Sequence, residues 1–294
     1  MSTSGDQVPA SDQVPASDPV PAVAPTPSAA PGDWRGGQVT DRALCVLCPN
    51  PSPMTLDGTN TWVLLEPGST EAVVIDPGPL HESHLRAVVA AVTDRGARVA
   101  QTILTHGHAD HAEGASRFAE LTGAPTRAVG RGHDDLGDGD VVSVGGLELR
   151  VVATPGHTSD SLSFALPADH ALLTGDTVLG RGTTVVAHPD GELAAYLASL
   201  ERLAALTGGG TVTSILPGHG PVVPDASAMV AFYRRHRAER LEQVRQALAD
   251  GAAQAPDPVQ AVVETVYADV PREVWPAARQ SVAAQVEYLR ARRS

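Results

Sequence analysis

Three histidines and an aspartate fall within six residues, His106-Gly107-His108-Ala109-Asp110-His111. Imidazole nitrogen and carboxylate oxygen are the donors that divalent zinc, iron and manganese take. The run follows the apolar β-type segment Val99–Leu104, so it reads as an extended loop leaving a strand. Alternate residues of such a loop point the same way. His106 and His108 can therefore grip one cation, while Asp110 and His111 turn toward a second about 3.5–4 Å away. Three more donors are spread along the chain. Thr154-Pro155-Gly156-His157, Thr174-Gly175-Asp176-Thr177 and Pro217-Gly218-His219-Gly220 each close a β-type run and each set the donor beside Gly. With the cluster they make seven donors, enough for two cations sharing one carboxylate. Such a pair lowers the pKa of a shared water, so that hydroxide forms near neutral pH and attacks a carbonyl or phosphoryl centre. The Gly-x-Ser-x-Gly elbow of serine hydrolases is absent. A metal-binding imidazole needs a partner for its second nitrogen, and Asp57 and Asp160 are candidates for that role.

Short strand-like runs separated by Gly and Pro would position these donors. Arg42–Leu47, Thr61–Leu65 and Ala72–Ile75 read as strands, the last two joined by a Pro67-Gly68-Ser69 turn. Leu85, Val88, Val89 and Val92 recur at helical spacing in Leu80–Arg95, and Gly96 ends that helix. His81 and His84, three apart near its start, are expected to face solvent. Glu113–Leu121 and Glu192–Leu206 are further helices. Val141–Val144, Leu147–Val152, Ser161–Leu166 and Ala171–Leu173 read as a β-meander, with a further strand at Thr211–Leu216. Helices are predicted at Met229–Leu248, Val259–Tyr267 and Trp275–Arg290. Strands, then a meander, then helices indicate a layered α/β sandwich. The expected organisation is a disordered Pro/Ala-rich tail over residues 1–38, a catalytic domain over 39–224 and a helical annex over 225–294. The tail repeats Asp-Gln-Val-Pro-Ala from Asp6 and again from Asp12, a composition that cannot bury enough apolar surface to fold. His133, in the acidic run ending at Asp140, reads as part of a solvated turn.

The seven donors resemble the His-x-His-x-Asp-His signature and outlying ligands of the metallo-β-lactamase superfamily. That resemblance implies an αββα sandwich with the site at one edge. It assigns His106, His108 and His157 to one metal, Asp110, His111 and His219 to a second, and Asp176 to the bridge. A narrower resemblance, to the β-lactamase-like protein 2 group, rests on the run Asn50 to Trp62, on Gly180-Arg181-Gly182-Thr183-Thr184, and on His236-Arg237 with Arg240. It implies a small helical, winged-helix-like C-terminal domain. That group includes an animal single-strand endoribonuclease and fungal enzymes that release polyketides from carrier-protein thioesters. The expected cofactor is therefore two divalent metal ions, with zinc ahead of iron or manganese. Asp110 is the expected catalytic carboxylate. Asn60, His188 and His236 are the residues expected to touch substrate.

Composition narrows the substrate. The chain has 294 residues and a formal charge of −13, with every basic residue an Arg. No apolar run is long enough to span a membrane, and the acidic balance argues against duplex DNA. Residues 225–294 hold 10 Arg against 9 acids, whereas residues 39–224 hold 10 Arg against 21 acids. The annex alone could accept single-stranded RNA, so a small-molecule thioester or carboxyl ester is the leading substrate and RNA the alternative. A β-lactamase or a non-catalytic binding protein is a minor reading. Cys45 and Cys48 form one Cys-x-x-Cys pair in a predicted strand. There they face opposite ways as buried thiols, and without an export signal they suit the cytoplasm.

Overall fold

The computed structural model describes residues 32–130 and 134–292. Most of the Pro/Ala-rich tail, and His133, lie outside them.

One sheet has seven strands in sequence order. They are β1 (Gly37–Gln38), β2 (Ala43–Leu47), β3 (Asn60–Leu65), β4 (Glu71–Ile75), β5 (Arg98–Ile103), β6 (Thr126–Ala128) and β7 (Asp134–Asp135). β1 to β4 pair antiparallel and β4 to β7 parallel. The second sheet runs β12-β11-β10-β9-β8. Its strands are β8 (Val141–Val144), β9 (Leu147–Ala153), β10 (Leu162–Leu166), β11 (Ala171–Gly175) and β12 (Ser214–Pro217). β8 to β11 are the meander expected from the sequence, and β12 adds parallel to β11. The helices are α1 (Glu82–Thr93), α2 (Ala109–Ala112), α3 (Ala115–Thr122), α4 (Leu193–Gly208), α5 (Ala226–Ala249), α6 (Pro258–Val266) and α7 (Trp275–Ala291).

Period-two alternation sorts the side chains into layers. In β3, Trp62 and Leu64 face inward onto Leu149, Val151, Phe164 and Leu173 of the other sheet. Val63, between them, faces outward onto Leu85, Val88 and Val92 of α1 and Phe118 of α3. On the other side, Leu172 and Ile215 meet Tyr196, Leu200 and Leu203 of α4 and Val230 and Tyr233 of α5. The order is helix, sheet, sheet, helix, the αββα sandwich. Each fully buried Leu or Val contributes about 1.5–3 kcal/mol. α5 also belongs to a further core. Its C-terminal half, through Val244 and Ala247, packs with Val262, Val263, Val282 and Val286 of α6 and α7. The C-terminal helices are thus built onto the sandwich through a shared helix.

Two expectations need correction. The fold begins before Val39. Gly37 and Gln38 pair with Cys45 and Leu44, and Trp34 packs on the inter-sheet core while its Nε1 donates to Asn60 Oδ1 at 2.8 Å. His84 does not face solvent; it is 2% exposed. The half-buried His81 caps α1, with Nδ1 accepting from the His84 N–H. His84 lies on the same helix face, under the sheet, with Nε2 2.9 Å from Thr61 Oγ1.

Candidate metal centre

Chain direction gathers the donors. β4 and β5 are parallel, β9 and β11 share a direction because both are antiparallel to β10, and β12 runs parallel to β11. The loops after β5, β9, β11 and β12 carry the seven donors and emerge at one rim. Backbone bonds join the two sheets there: Asn60 N–H donates to Gly218 O at 2.8 Å, and Leu162 N–H to Thr105 O at 2.8 Å. His106 and His108 come from the extended segment after β5, and Asp110 and His111 from the first turn of α2. All seven predicted donors converge.

Two groups form. His108 Nδ1 lies 3.0 Å from His106 Nε2 and 3.0 Å from His157 Nε2. His219 Nε2 lies 3.2 Å from His111 Nε2 and 3.1 Å from Asp110 Oδ2. Asp176 stands between them, with Oδ1 3.4 Å from His111 Nε2 and Oδ2 3.7 Å from His157 Nε2 and 3.4 Å from His219 Nε2. Four donors at about 2.0–2.2 Å around a tetrahedral cation stand about 3.4 Å apart, so these spacings suit metal ligands. Asp176 Oδ1 is buried and accepts no hydrogen bond, which a cation would remedy. A Cβ on Gly218 would come within 2.5 Å of Asp176 Oδ1 and 2.9 Å of His111 Cε1, so the carboxylate needs a glycine there. Gly156 serves the same end at φ +136°, where a side chain would run into the Tyr196 backbone.

The second ring nitrogens are held as a metal site requires. His111 Nδ1 is 2.8 Å from Asp76 Oδ2, His157 Nδ1 2.7 Å from Val185 O, His219 Nδ1 3.1 Å from Gly58 O, and His106 Nδ1 3.0 Å from Thr105 Oγ1. Neither Asp57 nor Asp160 supplies any of these contacts. Asp57 instead pairs with Arg181 at 3.0 Å. Asp76 is the residue sequence reasoning missed. Fully buried and at φ +51°, it also accepts from Thr105 N–H and Thr105 Oγ1–H, both at 2.7 Å. The available signal was a carboxylate directly after a buried strand, in Asp76-Pro77-Gly78, the pattern shared by the other donors.

Electrostatics divide the rim. Burial holds the His106 ring well below its ordinary value, helped by the charge of His111, and pushes His157 down to about 4. Burial opposes charge on His111 and His219 too, but Asp176 with Asp110 outweighs it. His111 is held well above its ordinary value and His219 at about 9. Asp110 resists burial through His111 and His219 and stays at about 2. Protons on His111 and His219 thus neutralise the carboxylates where cations would. Asp110 has 30% of its side chain exposed and His108 is half-buried, so the site opens on their side.

The three residues expected to touch substrate lie outside the donor groups. Asn60 is fully buried. Its amide donates to Pro217 O and Gly220 O, both at 2.9 Å, and its oxygen accepts from Trp34. It fastens β3 to the His219 loop. His188 lies 3.4 Å from Glu287 of α7. His236 stacks on Phe232 with ring centroids 5.9 Å apart, and burial, with Arg237 and Arg240, pushes it down to about 4. The cysteines are buried and free. Cys48 is close enough to Asp110 to feel its charge, which with burial pushes the thiol up to about 12. Neither cysteine belongs to the donor groups.

His84 backs the site. Thr61 Oγ1–H donates to Asp76 O at 2.7 Å, so it accepts from His84 Nε2–H. Burial, with the charge of His81, pushes His84 down to about 4, against about 6.5 in an unfolded chain. Between those values the unfolded chain binds the extra proton, so stability is complete above about 6.5 and falls as pH drops toward 4. His84→Gln should flatten the curve of unfolding free energy against pH in that window by on the order of 3 kcal/mol. Identical slopes for the two proteins would refute this.

Two packed sheets sealed by helices on both faces, with histidines and aspartates from several strand ends meeting at one rim, define a metal-dependent hydrolase. The chain belongs to the metallo-β-lactamase superfamily, which it matches over residues 54–136 and 128–219. A beta-lactamase associated winged helix domain matches residues 259–292. Among similar curated proteins, the atrochrysone carboxyl ACP thioesterase of Aspergillus chevalieri is 35% identical over 81% of this chain and 77% of its own length. The beta-lactamase-like protein 2 homolog of Caenorhabditis elegans is 31% identical, covering 83% of each. A beta-lactamase domain protein of Burkholderia ambifaria superposes with a TM-score of 0.73 at 23% identity, over 87% of this chain and 88% of that one, which supports the fold.

Proposed function

We propose that the protein is a dinuclear, zinc-dependent thioester hydrolase. His106, His108 and His157 would hold one cation and Asp110, His111 and His219 the other, with Asp176 the donor available to both. The observation that carries this reading is Asp176, whose Oδ1 lies 3.4 Å from His111 of the second group, while its Oδ2 lies 3.7 Å from His157 of the first and 3.4 Å from His219 of the second. Divalent cations there would activate water and stabilise negative charge on the attacked carbonyl. Asp110 is the donor carboxylate on the open side, where, ionised, it would accept a hydrogen bond from the attacking water.

The proton inventory favours a thioester. All five rim imidazoles belong to the donor set, and none is spare to protonate a leaving group. A thiolate, with a pKa of about 8.5, leaves without that help. The relative named as an ACP thioesterase supports the same class. The RNA alternative weakens because four of the ten arginines of the annex are already ion-paired: Arg234 with Glu201, Arg235 with Glu239, Arg245 with Glu242, and Arg279 with Asp257.

The test is thiol release from a panel of acyl thioesters, run beside cleavage of a single-stranded RNA, each from 50 to 500 mM salt. Thioester turnover should be present and nearly independent of salt. RNA cleavage without thioester turnover, falling steeply with salt as counterion release dictates, would reverse the assignment.

A further inference from the structure

We propose that Arg237, on α5, is a positioning residue for His157, through which the C-terminal helices set how tightly the first donor group holds its cation. The inference rests on the dinuclear reading above and extends it to a residue outside the rim.

Arg237 is 3% exposed. Among the described residues no carboxylate lies within ion-pair distance of it, and its Nε has no hydrogen-bond partner. A buried guanidinium so poorly paired is costly, and the contacts it does make show what it holds. It donates to Thr184 O, and its charge lies over the Tyr196 ring, 4.9 Å from the centroid. Thr184 Oγ1 stands 3.2 Å from His157 Nδ1, and the adjacent Val185 O accepts the Nδ1–H. That bond fixes the tautomer that leaves Nε2 free for a cation. Arg237 is therefore one backbone step from the group that aims His157.

The same segment is gripped at other points by the C-terminal helices. Tyr233, one turn before Arg237, accepts from Leu179 N–H at 2.9 Å, and Ser281 of α7 accepts from Val186 N–H at 3.2 Å. Ala187 N–H donates back to His157 O at 3.0 Å. The segment after Asp176 thus lies clamped between the helices on one side and His157 on the other. Arg237 is the only charged member of the clamp. A planar fork can hold a carbonyl and a ring face together, which an ammonium cannot do equally well.

The experiment measures divalent cation affinity by chelator competition, with the cobalt(II) absorption spectrum as the geometric readout, in the full chain. Arg237→Met should weaken cation binding at the His106–His108–His157 group by about 10–100-fold, the range seen when such supporting groups are removed, and should alter the cobalt spectrum. Arg237→Lys should recover part of that affinity. Thr184→Val, which keeps the carbonyl that Arg237 holds and removes only the hydroxyl 3.2 Å from His157 Nδ1, should weaken binding at the same group and add less than its full effect when combined with Arg237→Met. Val282→Ala, in the core of α5, α6 and α7, should lower Tm with affinity unchanged. Wild-type affinity in Arg237→Met, or an equal loss in Val282→Ala, would overturn the proposal. Should Arg237→Met not fold, Arg237→Lys carries the test, and unchanged affinity and spectrum in it count against the proposal. A wild-type protein that binds no divalent cation would instead overturn the dinuclear reading itself.

Discussion

Asp176→Ala should lower kcat/KM for a thioester by about 10²–10³-fold, the scale on which losing one preorganised electrostatic group is felt. The carboxylate is where the two donor groups meet. Oδ1 lies 3.4 Å from His111 Nε2, and Oδ2 lies 3.4 Å from His219 Nε2 and 3.7 Å from His157 Nε2. Deleting it removes the carboxylate that both groups face, and with it the negative charge that raises His111 and His219 when no cation is bound. Asp176→Asn keeps the shape and loses the charge, so it should fall nearly as far. Both variants should retain fewer than two cations per chain. A loss below about 10-fold in either, measured at matched metal occupancy, would show that Asp176 does not bridge the two groups.

Stripping the protein with a chelator should abolish turnover and destabilise the fold, and the destabilisation should grow with pH. In the cation-free protein His219 is raised to about 9 and His111 above its ordinary value. Such raised groups stabilise the fold fully below about 6.5, the unfolded value. That contribution disappears as pH climbs through the folded values. Cation binding runs the other way, since its ligands must be deprotonated. Two sites each filled at 100 times their Kd add roughly 5 kcal/mol, worth on the order of 10 °C in Tm for a chain of this size. The gap in Tm between loaded and stripped protein should therefore widen from pH 6 to pH 9. A gap that narrows over that range would place the stabilising charges elsewhere.

The seven donors were legible because each lies in the loop, or the first helical turn, that follows a strand, where a side chain can turn inward without disturbing the ladder. The layered fold was legible for a related reason: period-two and helical apolar patterns mark which faces must be covered. What stayed hidden was set by partners far away in the chain. Asn60 looked available to a substrate, yet its amide is consumed by Pro217 O and Gly220 O, about 160 residues on. His84 sits where a helix start meets solvent in the sequence, but the turn at Gly78 and Thr61 of β3 enclose it. Asp76 resembles an ordinary turn residue, and only the approach of His111 shows its use. The C-terminal helices were read correctly as helices. Their grip on the segment around His157 depends on Tyr233, Arg237 and Ser281, whose spacing says only that they share buried faces.

Counting the divalent cations that remain on the purified protein after exhaustive dialysis tests the central claim most directly. The geometry of the rim predicts two per chain, falling below two in Asp176→Ala. A folded wild-type protein that retains none, and takes up none when zinc, iron or manganese is supplied, would contradict the account.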